Sequence, residues 1–103
     1  MKRRQIMKFM AIFQVKDSFY ALSPEKQKEM MDVAGQQTEK ATKEGKLKEM
    51  YYLGNMKGVM AVFDLNSEDL VRLPYESPMF PFMDVEITPL VDMEVVRRVQ
   101  AKK

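Results

Sequence analysis

The spacing of apolar and polar residues predicts four β-strands. Residues 6–15 and 59–64 carry apolar side chains on both sides of the chain, which is typical of strands in the middle of a sheet. Residues 46–53 and 83–88 mix apolar with charged side chains, a pattern that suits edge strands, where charge discourages pairing with other chains. The segment 54–58 contains two glycines and an asparagine, so it predicts a hairpin between the second and third strands.

Periodic apolar residues and capping signals predict three helices. The first is expected to begin after Ser23, a good N-cap residue that precedes a proline, and to end at Gly45. A short second helix is expected to begin near Asn66 and to end, or bend, at Pro74. Valines at helical spacing predict a last amphipathic helix within residues 91–103.

The predicted order of elements is β-α-β followed by β-α-β, with a hairpin between the two halves. This order is typical of the ferredoxin-like split βαβ fold, an α+β fold with a four-stranded antiparallel sheet of strand order 4-1-3-2. The strands that are apolar on both sides then occupy the two central positions. We assign residues 6–90 to this domain, residues 1–5 to a basic N-terminal arm and residues 91–103 to a C-terminal helix or tail.

Two helices can cover only one face of such a sheet, so the other face remains apolar and uncovered. That face carries either Met10, Ile12, Met60 and Val62 or the residues on the opposite side of the same strands. An apolar patch of this kind on a small protein usually marks an interface. We therefore predict a homodimer in which sheet faces sheet.

The composition is that of an ordinary globular domain. The chain has 103 residues, of which 46% are hydrophobic, and no apolar run approaches the ~20 residues that a membrane-spanning helix needs. The basic start leads into an interrupted apolar segment with no small-residue cleavage site, so we expect no signal peptide and no membrane partner. A net charge of +2 does not indicate nucleic-acid binding, and the absence of cysteine fits a cytoplasmic protein.

The chain also contains no histidine, which restricts any acid–base chemistry. A general base must then be a carboxylate, a lysine or a tyrosine. Glu49 and Tyr51 are the candidate catalytic residues, because alternation places them on one face of the second strand, about 7 Å apart. If that face, which also carries Leu47, lies against the helices, Glu49 can act as a base and Tyr51 as a proton donor. The alternative is an exposed edge strand in which Glu49 pairs with a lysine.

Residues 77–90 read SPMFPFMDVEITPL and precede and form the last strand. The two prolines are expected to hold the chain extended, with Met79, Phe80 and Phe82 closing the end of the core. Asp84 and Glu86 have the spacing of a paired-carboxylate site, but no further oxygen ligands converge on them, so we expect no metal site. We interpret them as the polar side of an edge strand.

Residues 61–65, AVFDL, together with residues 77–90 resemble the C-terminal half of muconolactone Δ-isomerase, in which a Leu-Phe-Pro run leads into a Met-Asp-Glu strand. The resemblance covers most of residues 7–90. It implies a ferredoxin-like α+β barrel formed by dimerisation and often assembled into larger rings. It also implies a fold shared with cofactor-free monooxygenases and related binding proteins. The isomerase itself moves a proton across an unsaturated lactone.

The second strand differs from that family, which carries tryptophan, arginine and histidine there. This chain has Glu49 in place of the histidine, Tyr51 in place of an aromatic residue and Tyr52 at an arginine position. We interpret the protein as an isomerase-like binder of a small apolar or aromatic-derived molecule, acting on a lactone or aromatic-degradation intermediate without a cofactor. A non-catalytic homo-oligomeric binding module and a cofactor-free monooxygenase are the alternatives. The candidate ligand-binding residues are Tyr52, Phe80, Phe82 and Met30.

Overall fold

The computed structural model describes residues 6–102, so the expected N-terminal arm at residues 1–5 lies outside the described part of the chain. The strands are β1 (Met7–Val15), β2 (Leu47–Tyr52), β3 (Gly58–Leu65) and β4 (Met83–Pro89). The helices are α1 (Asp17–Tyr20), α2 (Pro24–Lys43), α3 (Ser67–Glu76) and α4 (Met93–Ala101), with a 3₁₀ helix at Phe80–Phe82. The strands form one antiparallel sheet of order β2-β3-β1-β4, which is the predicted order 4-1-3-2 read from the other edge. The predicted ferredoxin-like α+β fold is confirmed.

Local interactions fix both ends of α2 where the sequence predicts them. The Ser23 hydroxyl accepts a hydrogen bond of 3.2 Å from the backbone N–H of Lys26. At the other end Gly45 has a φ of 75°, a left-handed conformation that favours glycine. This turn lets the N–H of Lys46 donate to the carbonyl of Ala41 at 2.9 Å, which satisfies one of the last carbonyls of the helix.

The second predicted helix continues past Pro74, where the sequence predicts either an end or a bend. α3 does not end at Pro74 but continues to Glu76. A proline in the last turn removes only one intrahelical hydrogen bond, and the N–H of Ser77 still donates to the carbonyl of Leu73 at 3.2 Å.

The prediction that two prolines hold the chain extended before β4 is wrong. Phe80–Phe82 forms a 3₁₀ helix, in which the N–H of Phe82 donates to the carbonyl of Met79 at 2.9 Å. Proline allows this because its fixed φ near −65° suits a helical turn as well as an extended chain. The turn places the Met79 side chain in a buried cluster, which contains Phe19, Met30 and Met79 and has Val15, Leu22, Ala34, Phe82 and Met83 packed against it.

A β-bulge at Lys48 decides which side chains of β2 face the helices. Leu47 lies opposite Phe63 of β3, whereas Glu49 lies opposite Val62, so two steps along β2 match one step along β3. Simple alternation puts Leu47 and Glu49 on the same face of the strand. That prediction is wrong, because the extra residue places them on opposite faces.

The two faces of the sheet have different surroundings. α2 and α3 pack on one of them, here termed the covered face, whose buried side chains are Phe9, Ala11, Leu47, Ala61 and Leu65. The other, here termed the open face, carries Met10 and Ile12 of β1 beside Val62 and Met60 of β3. These four side chains are half-buried by their neighbours in the sheet. The apolar open face is therefore the one that carries Met10 and Ile12. Among residues 6–102, no helix is both long and apolar enough to cross a membrane.

Candidate functional site

A cleft of about 260 Å³ lies between α2, α3 and the covered face, and we call it the helix cleft. It combines an apolar surface with charged groups, as small-molecule sites usually do. β3 contributes Phe63 and Leu65 from the sheet. The other apolar lining residues are Ala41 and Leu73, and the charged ones are Lys40, Glu44, Lys46, Asp69, Arg72 and Glu76.

Lys46 and Asp69 form a partly enclosed ion pair in the helix cleft. Lys46 Nζ lies 3.1 Å from Asp69 Oδ1, and the Asp69 side chain is only 14% exposed. The other carboxylate oxygen, Oδ2, accepts a 3.3 Å hydrogen bond from the backbone N–H of Asn66. The Asn66 side chain in turn accepts one of 2.8 Å from the backbone N–H of Asp69, which completes a capping box at the start of α3. The Asp69 carboxylate is therefore held in one orientation by Lys46 on one oxygen and by Asn66 on the other.

The surroundings of Asp69 keep its carboxyl ionised. Burial acts to raise the pKa of Asp69, but hydrogen bonds from Lys46 and Asn66 and the positive charges of Lys46 and Arg72 outweigh it. The net effect is a pKa below the ordinary value of 3.8. At neutral pH the helix cleft therefore contains the Asp69 carboxylate, held in one orientation, beside the ammonium group of Lys46.

Arg72 brings a second cation to the helix cleft from the next turn of α3. Its guanidinium forms ion pairs with Glu68 and, at 3.8 Å, with Glu76. The backbone carbonyl of Glu76 also accepts a 2.6 Å hydrogen bond from Gln37 Nε2, which connects α3 to α2. The two helices that line the cleft are thus joined directly to each other.

This arrangement can hold a small molecule that has an apolar part and an anionic or carbonyl oxygen. Phe63 and Leu65 offer apolar contact, while Lys46 and Arg72 donate charge-assisted hydrogen bonds to oxygen. A nearby carboxylate can accept a proton from carbon. Within residues 6–102, no group of three or more His, Cys, Asp or Glu side chains is arranged to hold a metal ion.

The predicted catalytic pair, Glu49 and Tyr51, lies on the open face and outside the helix cleft. The Tyr51 hydroxyl donates a 2.8 Å hydrogen bond to Glu49 Oε1. This hydrogen bond and the Glu49 charge raise the pKa of Tyr51 above 10.0. The Tyr51 side chain is 55% exposed, so in one subunit the pair is an exposed feature of an edge strand. It forms no part of a helix-covered pocket, because the bulge at Lys48 turns it to the other side.

The predicted ligand-binding residues do not meet at one place. Tyr52 lies opposite Val59 at the edge of the covered face and is 79% exposed. Met30 is buried in the cluster with Phe19, and Phe82 packs against that cluster. Phe80 is half-buried in the 3₁₀ helix. The structure brings Met30 and Phe82 together and brings Glu49 and Tyr51 together, but it places these two pairs on different sides of the sheet.

Sequence reasoning did not identify the charged residues of the helix cleft. Lys46 follows the helix-ending glycine, and Asp69 stands three residues after Asn66, so each has an ordinary local explanation. The capping pattern could have shown that Asp69 has a fixed orientation. Its pairing with Lys46, 23 residues earlier in the chain, depends on how β3 brings α3 back beside the end of α2.

Comparison with known proteins gives one consistent result. The family model described as muconolactone delta-isomerase matches residues 7–94. A crystal structure of muconolactone isomerase superimposes with a TM-score of 0.72 at 23% identity, covering 84% of this chain and 90% of that one, which shows a common fold. No curated protein shows significant sequence similarity to the chain. Because the family model spans most of the sequence, the chain belongs to the muconolactone Δ-isomerase family, as the resemblance in its last strand indicates.

Proposed function

We propose that the protein is a cofactor-free isomerase that moves a proton within a small unsaturated lactone or carboxylic acid bound in the helix cleft. The observation that carries this proposal is the position of Lys46, Asp69 and Arg72 beside the apolar side chains of β3. Family membership supports the class of reaction, because the family is named for an isomerase of muconolactone. A cytoplasmic location belongs to the same proposal.

The reaction needs a group that removes a proton from carbon and a group that stabilises the charge left behind. Loss of a proton from a carbon that is conjugated with the lactone carbonyl through the double bond puts negative charge on the carbonyl oxygen, where the ammonium group of Lys46 or the guanidinium of Arg72 stabilises it. Glu44 and Asp69 lie 3.8 and 3.1 Å from Lys46 Nζ. One of these carboxylates takes the proton and returns it to a different carbon of the same molecule. No oxidant, reductant or cofactor is needed, because the ligand loses one proton at one carbon and gains one at another.

The protein also forms a homodimer through its open face in this proposal. Met10, Ile12, Met60 and Val62 form a continuous apolar square there. Such a contact places the Glu49–Tyr51 pair at the subunit interface, out of water. The 2.8 Å hydrogen bond of that pair favours it as a second candidate site for the same proton transfer.

Deuterium exchange tests the proposal without knowledge of the product. The purified protein is incubated with muconolactone in D₂O, and NMR follows the replacement of carbon-bound protons. We expect deuterium to be incorporated at the carbon next to the carbonyl, because that carbon receives a proton in the reaction and the protonated carboxyl group can exchange with D₂O before it returns one. Binding of muconolactone without any exchange or isomerisation would instead support the non-catalytic binding module.

Paired variants distinguish the two candidate sites. Lys46→Met and Asp69→Asn alter the helix cleft, and each is expected to slow exchange about 10²-fold or more. Glu49→Gln and Tyr51→Phe alter the open-face pair and are expected to change the rate less than about threefold. Lys26→Met, an exposed cation at the start of α2, is the matched control. The opposite ranking of the two sets would move the active site to the subunit interface.

A further inference from the structure

The two carboxylates beside Lys46 are held to different degrees. Both oxygens of Asp69 have donors, since Oδ1 lies 3.1 Å from Lys46 Nζ and Oδ2 accepts the N–H of Asn66 at 3.3 Å. Among residues 6–102, the only ion pair of Glu44 is its longer contact of 3.8 Å with Lys46 Nζ. The Glu44 side chain is 44% exposed, against 14% for Asp69. Asp69 is therefore fixed, whereas Glu44 can change its rotamer without breaking a short hydrogen bond.

Lys46 is fixed by its backbone as well as by its side chain. Its N–H donates to the carbonyl of Ala41 at 2.9 Å, and its carbonyl accepts a 2.7 Å hydrogen bond from the N–H of Asp64 in β3. Asp69, near the start of α3, holds the ammonium group at the other end of the side chain. A cation that is held in advance stabilises developing negative charge well, because it does not have to reorganise as the charge appears.

The group that carries the proton in the proposed reaction needs the opposite property, freedom to move. It takes a proton from one carbon and delivers one to another, so its oxygens must reach both carbons of the bound molecule. Asp69 is poorly suited to this task. Burial acts to raise its pKa, but hydrogen bonds from Lys46 and Asn66 hold it below the ordinary value, so the carboxylate accepts a proton reluctantly. Glu44 has a longer side chain, lies at the C-cap of α2 and lines the helix cleft.

We propose that Glu44 is the base that carries the proton in the helix cleft, and that Asp69 is a positioning residue that orients Lys46 towards the carbonyl oxygen of the ligand. This division of roles rests on the proposed function and gives its two carboxylates different tasks. Glu44 takes a proton as the electron pair of the broken C–H bond moves into the conjugated system and charge collects on the oxygen beside Lys46. The electron pair then forms the new C–H bond with the proton that Glu44 returns, which leaves Glu44 ionised again.

The pH dependence of deuterium incorporation into muconolactone tests this division. Glu44→Gln is expected to slow incorporation about 10²-fold or more and to abolish the fall in rate towards acidic pH, because the group that must be deprotonated is gone. Asp69→Asn is expected to be slow but to keep that acidic fall, because Glu44 still titrates. Glu39→Gln, an exposed carboxylate of α2 outside the helix cleft, is the matched control and should follow the unaltered protein in rate and pH dependence.

Added formate gives a second measurement. Glu44→Ala leaves a space open to solvent in which formate can act as the base, so we expect formate to raise its rate about tenfold or more. Formate should not raise the rate of Asp69→Ala, because a dissolved base does not restore the orientation of Lys46. Thermal unfolding of each variant verifies that it folds. The inference is overturned if Glu44→Gln keeps the exchange with its acidic fall, or if formate fails to rescue Glu44→Ala and rescues Asp69→Ala.

The failure of this inference is distinguishable from the failure of the proposed function. If the unaltered protein incorporates no deuterium into muconolactone, the reaction in the helix cleft is wrong and the role of Glu44 is wrong with it. If the unaltered protein incorporates deuterium and Glu44→Gln does so equally well, while Lys46→Met does not, the reaction stands and only the role of Glu44 is wrong.

Discussion

The covered and open faces of the sheet are built from the same two central strands, yet their side chains are buried to different extents. On β1, Phe9 and Ala11 are buried beneath helices, while Met10 and Ile12, between and beside them, are only half-buried. Both sets are apolar, so hydrophobicity along the strand does not determine which face becomes the core. The path of the connecting helices does, and it leaves the other face without helices on it.

Phe9→Ala is expected to lower the free energy of unfolding by about 3–4 kcal/mol, because it leaves a large cavity under the helices. Met10→Ala, the adjacent residue on the open face, is expected to lower it by only about 1 kcal/mol in monomeric protein. Urea denaturation followed by circular dichroism measures both. Equal losses for the two variants would mean that the open face is as tightly packed in one subunit as the covered face.

Asp69→Asn is expected to lower the free energy of unfolding by about 1–2 kcal/mol at pH 7, because it removes the charge that pairs with Lys46. The pKa of Asp69 is lower in the folded chain than its unfolded value of about 3.9. Its stabilising effect is therefore complete above that unfolded value and is lost as the pH falls through the lower folded value.

Urea denaturation of both proteins between pH 7 and pH 2 measures this dependence. The difference between them should stay constant down to about pH 4 and then shrink. Glu86→Gln, on the open face, is the control and should change the free energy of unfolding by less than about 0.5 kcal/mol at pH 7. A difference that grows towards low pH would contradict the sign of the pKa change.

Deleting Lys48 is expected to leave Glu49 and Tyr51 on the open face and to change the free energy of unfolding by about 1 kcal/mol or less. Removal of the bulge residue leaves Leu47 opposite Phe63 and Glu49 opposite Val62 in a regular ladder. Nuclear Overhauser contacts between Tyr51 and Met60, which lie opposite each other, report the result.

Deleting Met50 instead is the matched control, because it shortens β2 by the same length. In a regular ladder it places Glu49 opposite Ala61, which is fully buried on the covered face. We expect this variant to lose the hydrogen bond between Glu49 and Tyr51 and to be markedly less stable than the Lys48 deletion. If the two deletion variants had the same stability and the same contacts of Tyr51, the bulge would not control which face of the sheet the side chains of β2 lie on.

The smallest expected effect is on the pKa of Tyr51, which pairs with Glu49 on the open face. It leaves the free energy of unfolding unchanged. Glu49→Gln is expected to lower the pKa of Tyr51 towards 10.0, because it removes the carboxylate that accepts the phenol hydrogen bond and repels the phenolate. NMR titration of the Tyr51 ring signals measures it. Glu86→Gln, a carboxylate on the opposite edge strand, should not alter that titration. If Glu49→Gln also has no effect, the two side chains do not interact in solution.

Several features of the fold follow from local sequence alone. Ser23 and Gly45 mark the ends of α2, because a side-chain oxygen and a left-handed glycine satisfy helix ends without help from distant residues. β1 and β3 are mostly apolar on both faces, whereas β2 and β4 also carry charged side chains. This difference places β1 and β3 in the centre of the sheet, because charge is typical of edge strands. Family membership was also readable, because the residues of the last strand are distinctive.

The candidate site required the tertiary structure. Period-two alternation predicts the facing of a strand only when its ladder is regular, and one extra residue at Lys48 reversed the side on which Glu49 and Tyr51 lie. The two prolines likewise do not determine the backbone conformation of residues 78–82, because the same φ is compatible with an extended chain and with a 3₁₀ turn.

The sequence by itself determined the order of the four strands and of the two helices that connect them in pairs, the central strands, the ends of α2 and the family. Only the tertiary structure decided which face is covered, where the predicted catalytic pair lies and that Lys46 meets Asp69. The physical reason is the range of the interactions. Capping, periodicity and turn preference act between neighbours in the chain, whereas a cleft is formed by side chains that the packing of helices on a sheet brings together.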